Sequence, residues 1–244
     1  DGSAYTANPV FGSGSNLGSS NYVVASGSGP VTVTGLSTAT TYHFRVFELN
    51  GSGAQTNYNT STATANPSSA TTLSTQPSAQ PTGLGFASVT SSSMSGSFTA
   101  APGPPSGYIV LRKAGSSPTD VPADGKTYSA GSTIGSSTVV SSGSAPSFSS
   151  TGLSGATVYH YDVFAYNGSG SSTNYLTTSP LQSSQVTRAD EPTSQPTALE
   201  FTSVMPEAMD GSFTAPAGGA TGHLILRRAG SSPADFPNDG TAYT

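Results

Sequence analysis

Short segments in which apolar and polar residues alternate are the strongest local signal along this chain. In the clearest one, residues 158–166, one side of the alternation carries Tyr159, Tyr161, Val163 and Ala165. A period of two predicts a β-strand, and the Asn167-Gly168 pair that follows is typical of a turn with positive φ. The other segments with strand character are residues 82–89, 94–99, 108–113, 137–141, 147–151 and 174–187. Short strands at this density, about seven per 100 residues, predict a two-sheet sandwich, and no stretch has a credible helical period.

The chain also repeats itself. The sequence from Thr151, TGLSGATVYHYDVFAYNGSG, has a counterpart 117 residues earlier, TGLSTATTYHFRVFELNGSG from Thr34. In the other direction, LRKAGSSPTD from Leu111 returns 115 residues later as LRRAGSSPAD from Leu226. Internal repetition at a nearly constant spacing is specific evidence for a tandem array of one structural unit.

Two linkers rich in Pro, Ser and Gln, residues 74–82 and 189–197, divide these repeats. We therefore expect residues 77–189 to form one complete unit. Residues 1–73 contain only the later strands of such a unit, and residues 192–244 contain only its first three. Each partial unit would expose an apolar face and unpaired strand edges. Joined in the order 192–244 then 1–73, the two would complete one domain.

Composition narrows the classes of function. Hydrophobic residues make up 33% and charged residues 8% of the 244 residues, as suits many short strands joined by tight turns. A net charge of −5 with seven basic residues argues against nucleic-acid binding. The chain has no Cys, which excludes disulfides and thiolate metal sites, and no apolar run approaches the roughly 20 residues of a membrane span. We interpret the chain as a processed product or a segment of a larger polypeptide in an extracellular setting.

Two motifs resemble the fibronectin type III family. The first is a Leu followed six residues later by a Tyr that opens an alternating strand, and it occurs at Leu153 with Tyr159 and at Leu36 with Tyr42. The second is a Pro-x-x-Leu opening, which occurs at residues 81–84 and 196–199. The resemblance covers one complete unit and two partial ones.

The resemblance implies an all-β fold of tandem immunoglobulin-like sandwiches. It implies that Tyr42 and Tyr159 form the tyrosine corner at the start of strand F. The family's Trp on strand B is absent here, and Met94 and Phe98 are expected in its place. The repeats are similar to those of large secreted or cell-surface bacterial proteins. Because such domains usually bind, space or assemble, the resemblance also implies no enzymatic activity and no cofactor.

Candidate chemistry is sparse. Two carboxylates four residues apart recur in Gly-ended loops, as Asp120 with Asp124 and as Asp235 with Asp239. Such pairs are typical of turns fixed by Asp side chains, and together with backbone carbonyls they are also weak candidates for calcium. No histidine has a second ligand at a suitable spacing, and no catalytic triad or phosphate-binding loop is recognisable. The sequence therefore predicts no catalytic residues.

An apolar strip is predicted on the outer face of strands C and F, which are neighbours in the family's fold. Ile109 and Leu111 are assigned to the core. The strip would then consist of Tyr108, Val110, Phe164, Tyr166 and, in the earlier copy, Phe47 and Leu49. Exposed apolar strips mark contacts. Either the long segment 114–142 folds back over the strip, or the strip contacts another copy or a neighbouring chain, and both can hold.

These features predict a non-enzymatic structural repeat of an extracellular filament or surface adhesin. Its partial units would be completed by neighbouring copies, head to tail, or by the continuing parent chain. The alternative is a carbohydrate- or protein-binding spacer of a secreted multidomain enzyme. In that case tyrosines such as Tyr108, Tyr166 or Tyr175 would stack on surface glycans.

Overall fold

The computed structural model describes residues 5–218 and 220–243. This part of the chain is built from short β-strands with two single-turn 3-10 helices, at Gly53–Gln55 and Gly170–Ser172, and it contains no α-helix. The all-β prediction is therefore confirmed. Within the same residues, no helix has the length and apolar character that crossing a membrane requires.

The first region of the chain forms two separate strand pairs. Its strands are β1 (Thr41–Phe44), β2 (Leu49–Asn50), β3 (Asn57–Tyr58) and β4 (Ser68–Thr71). β1 pairs antiparallel with β4, and β2 pairs antiparallel with β3. Two-stranded pairs bury little apolar surface by themselves, and residues 5–73, the described part of this region, form no packed core between two sheets.

The middle region forms a sandwich of two antiparallel sheets. Its strands are β5 (Thr82–Ala87), β6 (Ser93–Thr99), β7 (Gly107–Ala114), β8 (Thr133–Ile134), β9 (Ser137–Gly143), β10 (Ser147–Thr151), β11 (Val158–Asn167), β12 (Asn174–Tyr175) and β13 (Leu181–Val186). One sheet has the order β10-β6-β5. The other has the order β12-β11-β7-β9-β8, and β13 also pairs with β11.

Two local features of the sandwich differ from the predicted strands. The single strand expected at residues 174–187 is interrupted between β12 and β13, where Pro180 has no N–H to donate to a neighbouring strand. The hairpin of β8 and β9 was not predicted. It turns at Gly135, whose φ of 55° lies in the left-handed region that favours glycine.

The core lies between the two sheets. Its large buried members are Met94, Phe98, Tyr108, Val110, Phe148, Tyr159, Tyr161 and Val163. Gly96, at the centre of β6, pairs with Phe86 of β5 on one side and with Phe148 of β10 on the other. The ring of Phe148 occupies the place that a Cβ of residue 96 would take, which explains why glycine stands in the middle of this strand.

A second cluster covers the outer face of the larger sheet. It contains Ile109, Leu111, Val139, Phe164 and Tyr175, with Tyr128, Ile134 and Tyr166 packed against it. Both faces of β7 are therefore buried, and this is why its apolar residues run on without alternation.

The predicted faces of strand C were wrong. Tyr108 and Val110 point into the core between the sheets, and Ile109 and Leu111 point outward into the second cluster. The register explains the assignment, because Val110 lies opposite Val163 in the β7–β11 ladder. Directly opposed residues of an antiparallel pair share a face, so the inward side of β11 determines the inward side of β7.

The last region forms a hairpin of β14 (Thr197–Val204) and β15 (Met209–Thr214). It repeats the pairing of β5 with β6, since Phe201 lies opposite Gly211 as Phe86 lies opposite Gly96. Residues 220–243, which repeat the sequence of β7 and the following loop, contain no strand. Their apolar side chains are exposed.

Candidate interaction surface

The two predicted corner tyrosines make the same hydrogen bond. The Tyr159 hydroxyl accepts a bond of 2.9 Å from the backbone N–H of Ser154, and the Tyr42 hydroxyl accepts one of 2.8 Å from that of Ser37. Each ties the start of the strand to the loop five residues earlier. Tyr159 is buried, and the guanidinium of Arg112 lies 5.4 Å from the centre of its ring.

A second tyrosine arrangement of this kind was not anticipated. The Tyr128 hydroxyl accepts from the N–H of Ala123 at 3.1 Å, and the Tyr243 hydroxyl accepts from the N–H of Asn238 at 3.0 Å. Both tyrosines belong to an Asp-Gly-x-x-Tyr sequence, which begins at Asp124 and recurs at Asp239. The spacing of five residues is the sequence signal that could have identified these loops.

The weak calcium candidates have structural hydrogen-bond partners. Asp120 accepts from the N–H and Oγ of Ser136 at 2.9 and 3.0 Å, and from Oγ of Ser137 at 3.3 Å. These bonds, led by the backbone N–H of Ser136, lower the pKa of the Asp120 carboxyl. Asp124 accepts instead from the N–H of Tyr175 at 2.8 Å. The two carboxylates thus hold different segments in place, as the turn alternative expects.

The second pair of carboxylates lies in the last region of the chain. Asp239 lies 3.5 Å from a guanidinium nitrogen of Arg188, in an exposed ion pair, and Asp235 is exposed. Among residues 5–218 and 220–243, no group of three or more His, Cys, Asp or Glu side chains is arranged to hold a metal ion.

The outer face of the complete sandwich is covered by its own chain. The rings of Tyr128 and Tyr166 lie 6.1 and 5.3 Å from that of Tyr175, whose hydroxyl donates to the carbonyl of Lys126 at 3.0 Å. Burial raises the pKa of the Tyr175 hydroxyl. Phe164 is buried beneath this layer. Here segment 114–142 folds over the predicted strip.

This covering changes the list of accessible residues. Tyr108, Val110 and Phe164, predicted as interface residues, are buried, and Tyr166 is half-buried. Tyr108 and Tyr175 are not available to stack on a sugar, because both have their rings inside the protein. The prediction that Tyr108, Val110 and Phe164 form an exposed strip on the complete sandwich is therefore wrong.

In the first region the equivalent residues are exposed. Phe47 and Leu49, which correspond to Phe164 and Tyr166, are 38% and 46% exposed, and Val46, which corresponds to the core residue Val163, is 73% exposed. In the complete sandwich β11 pairs with β7 along this edge. Residues 41–50, which we call the open F edge, have β4 as their neighbour on the side equivalent to β13.

The last region contains the sequence equivalent of β7. Leu224, Ile225 and Leu226 correspond to Ile109, Val110 and Leu111 of β7, and they are 47%, 73% and 47% exposed. We call residues 222–229 the free C segment. The chain thus exposes one unpaired strand sequence and one open edge that are equivalents of a buried pair in its own middle region.

Side-chain amides at the end of the sandwich were also missed. Asn174 donates to the carbonyl of Ser74 at 2.7 Å, and Asn167 donates to the carbonyl of Thr75 at 2.9 Å. Gln80 inserts between β11 and the segment after β12: it donates to the carbonyl of Leu176 at 2.6 Å and accepts from the N–H of Ala165 at 2.9 Å. The signal was present, because these residues recur as Asn57, Asn50 and Gln195.

One buried carboxyl, that of Asp162, lies on β11 opposite Gln182 of β13. Asp162 is 3% exposed, and Nε2 of Gln182 donates to one of its oxygens at 2.9 Å. The other oxygen has no hydrogen-bond partner among the described residues. Burial raises the pKa of this carboxyl, against the smaller opposing effects of Gln182 and His160. The corresponding residue of the first region is Arg45, which is exposed.

Comparison with known proteins gives a family match over part of the middle region. Residues 79–179 match the family model of the fibronectin type III domain. The fibronectin type III domain of human collagen XX is 28% identical, with a TM-score of 0.26, over 42% of this chain and 97% of that one. The FN1–FN3 domains of chicken CNTN1 are 20% identical, with a TM-score of 0.38, over 65% of this chain and 45% of that one. A redesigned β-sandwich protein is 18% identical, with a TM-score of 0.34, over 46% of this chain and 93% of that one. No curated protein matches the chain.

Proposed function

We propose that this chain, whose residues 79–179 form a fibronectin type III domain, is a non-enzymatic structural repeat of an extracellular filament or surface adhesin. Fibronectin type III domains are generally non-catalytic modules that serve as structural elements and spacers.

The observation that carries the proposal is the pair of complementary surfaces. The open F edge and the free C segment expose apolar residues whose equivalents are buried against each other in the complete sandwich. Exposed strand edges and apolar segments of this kind pair with another chain or with a further part of the same chain. Because the two surfaces are different, their contact is heterologous, and such a contact builds an open filament when its rotation does not close a ring.

Two arrangements would complete these regions. Neighbouring copies can meet head to tail, with the free C segment of one copy on the open F edge of the next, as in strand complementation. A longer parent chain would instead supply the same strands in its adjacent repeats. In both, the repeat has a mechanical and spacing role at the cell surface or outside the cell.

Assembly of the chain tests the proposal directly. In analytical ultracentrifugation the mass should rise above 24.2 kDa with concentration, and electron microscopy should show linear particles. Ile225→Asp should abolish assembly, because it places a charge in the free C segment. Val121→Asp, at an equally apolar and 52% exposed position of the complete domain, is the matched control and should assemble normally. A folded chain that stays monomeric at every concentration would contradict assembly from separate copies.

Mass spectrometry of the native material separates the two arrangements. A species near 24.2 kDa supports complementation between copies, and a much longer chain supports a covalent array. Labelling of intact cells with an antibody against the complete domain checks the extracellular location. Signal only after lysis would overturn that part of the proposal.

A further inference from the structure

The complete sandwich shows how the two exposed surfaces fit together. β11 and β7 pair antiparallel from Tyr159 opposite Ala114 to Tyr166 opposite Gly107. The first region repeats β11 117 residues earlier, and the last region repeats β7 115 residues later. Transferring the register to these copies places Val46 opposite Ile225.

We infer that a second copy of the chain completes each open F edge in this one register, with its free C segment as the adjacent strand and its Gln195 as a bridging side chain. The inference rests on the proposed assembly function and specifies its interface. The register sets Phe47 opposite Leu224 and Glu48 opposite His223, so that apolar residues meet and an acidic residue faces a histidine.

The bridging role of Gln195 is inferred from a pair of backbone groups in the first region that is already arranged to accept it. In the complete sandwich Gln80 joins the N–H of Ala165 to the carbonyl of Leu176, beside a backbone bond of 2.9 Å from the N–H of Leu176 to the carbonyl of Ala165. The first region has the same backbone bond, 2.9 Å from the N–H of Asn59 to the carbonyl of Glu48. The N–H of Glu48 and the carbonyl of Asn59 are thus arranged as the pair that Gln80 bridges.

Gln195 is the residue of the last region that corresponds to Gln80. It lies two residues before β14, as Gln80 lies two residues before β5, and it is exposed. A second copy that places its free C segment on the open F edge would bring Gln195 to Glu48 and Asn59 by the connectivity of the domain. The inferred interface therefore has two separate parts. One is the apolar pair of the free C segment with the open F edge, and the other is the bridge made by Gln195.

The linkers favour a second copy over closure within one chain. On one side, Leu73 accepts from the N–H of Ala39 at 3.1 Å, and the next residue, Ser74, donates to the carbonyl of Ser172 at 2.8 Å, so no free residue separates the first region from the sandwich. On the other side, Thr187 donates to the carbonyl of Thr157 at 3.0 Å.

These two attachments lie at opposite ends of the sandwich. Ser74 is held beside the end of β11, and Thr187 is held beside its start, 10 residues or about 33 Å away. The first region and the last region are therefore attached at opposite ends of the sandwich, which favours contact of each with a different copy.

Cysteine cross-linking tests the register, because the chain has no native Cys. Val163 and Val110 are directly opposed, and opposed residues have Cα atoms about 4.5–5.5 Å apart, which a disulfide can span. Mixing the Val46→Cys and Ile225→Cys variants and oxidising gently should give a cross-linked dimer. Mixing Val46→Cys with Leu224→Cys, one residue out of register, should give little or none, because that side chain points to the other face.

The glutamine bridge has its own matched pair of variants. Gln195→Ala should raise the concentration needed for assembly about tenfold, the factor that corresponds to about 1.4 kcal/mol. The unfolding midpoint of the complete domain should not change. Gln80→Ala should do the reverse, lowering that midpoint without changing assembly.

The possible outcomes separate this inference from the proposed function. Assembly without the 46–225 cross-link, or with a stronger 46–224 cross-link, would overturn the register and leave the assembly proposal standing. A chain that carries both Val46→Cys and Ile225→Cys and gives a cross-linked monomer, without cross-linked dimer, would overturn the assignment to a second copy. Absence of both assembly and cross-link would overturn the inference together with the proposed assembly.

Discussion

The complete sandwich and the last region contain nearly the same strand in two different environments. Residues 109–111 of β7 are at most 1% exposed, whereas Leu224, Ile225 and Leu226 have between 47% and 73% of their surface exposed. Local sequence does not account for the difference, because YIVLRK from Tyr108 and HLILRR from His223 have the same apolar and basic pattern. β7 is buried because β11 and β9 pair with its two edges and apolar clusters cover its two faces.

The comparison shows that burial in this protein depends on distant partners. A β-strand satisfies its backbone N–H and C=O groups with other strands, unlike a helix, which satisfies them internally. Half a sandwich therefore cannot bury its apolar residues, however suitable they are. This is why the same sequence forms a core strand in one place and an exposed segment in another.

The largest expected effect comes from truncating the equivalent leucines. Leu111→Ala should destabilise the chain by about 2–5 kcal/mol, because it leaves a cavity in a fully buried cluster. Leu226→Ala should change stability by less than about 0.5 kcal/mol, because its side chain is already exposed. Guanidinium unfolding of dilute chains measures both. Equal losses would show that the last region is packed as tightly as β7.

A smaller contrast is expected at the paired glycines. Gly96→Val should cost about 1–3 kcal/mol, because the new Cβ would overlap the ring of Phe148 and force it to move. Gly211→Val should cost less, since the nearest atom to its Cβ would be a ring carbon of Phe201 at 3.2 Å, in a hairpin exposed to solvent. Differential scanning calorimetry compares the two melting temperatures. If Gly211→Val lowered the melting temperature as much, the second hairpin would have to be packed against another strand.

The two corner tyrosines should differ in the same direction. Tyr159→Phe should cost about 0.5–1.5 kcal/mol, because the N–H of Ser154 loses its acceptor in a partly buried loop. Tyr42→Phe should cost less, because water replaces the lost acceptor for the exposed N–H of Ser37. Guanidinium unfolding of the two variants measures each loss. A loss for Tyr42→Phe as large as that for Tyr159→Phe would be the opposite of this expectation.

The smallest effect concerns pH and the buried Asp162. Burial raises the pKa of this carboxyl in the folded state above its ordinary value of about 3.9. The protonated form therefore contributes stability that is fully present below the unfolded-state pKa and is lost as the pH rises through the folded-state pKa. Asp162→Asn should remove this loss, so that the variant is more stable than the parent chain at pH 7.

Unfolding measurements from pH 3 to pH 7 test this expectation. The difference between Asp162→Asn and the parent should grow as the pH rises above about 3.9. Arg45, at the equivalent position of the first region, is exposed, and Arg45→Gln is the control that should leave the pH dependence unchanged. A difference that is constant over this range would show that the carboxyl does not titrate differently on folding.

The positions of most strands could be predicted from the sequence, because alternation and turn residues are local features. The segment predicted at residues 147–151 is strand β10, and the one at 158–166 lies within β11. The faces of β7 could not be predicted, because residues 108–111 are all apolar. Without polar residues at alternate positions, the sequence does not show which side of the strand faces the core. The sequence also did not decide whether Phe164 is covered, because segment 114–142 has no residue pattern that shows where it packs.

By itself, the sequence determined that this chain is all-β and that segments of its middle region recur on both sides of it. The exact spacing of Tyr159, Gly96 and Gln80 and of their counterparts Tyr42, Gly211 and Gln195 was already in the chain. Only the tertiary structure decided which side of β7 faces the core and which interface residues are covered. The physical reason is that strand propensity is local, whereas face, register and burial of β7 are set by residues of β11 that lie 45 to 59 positions away.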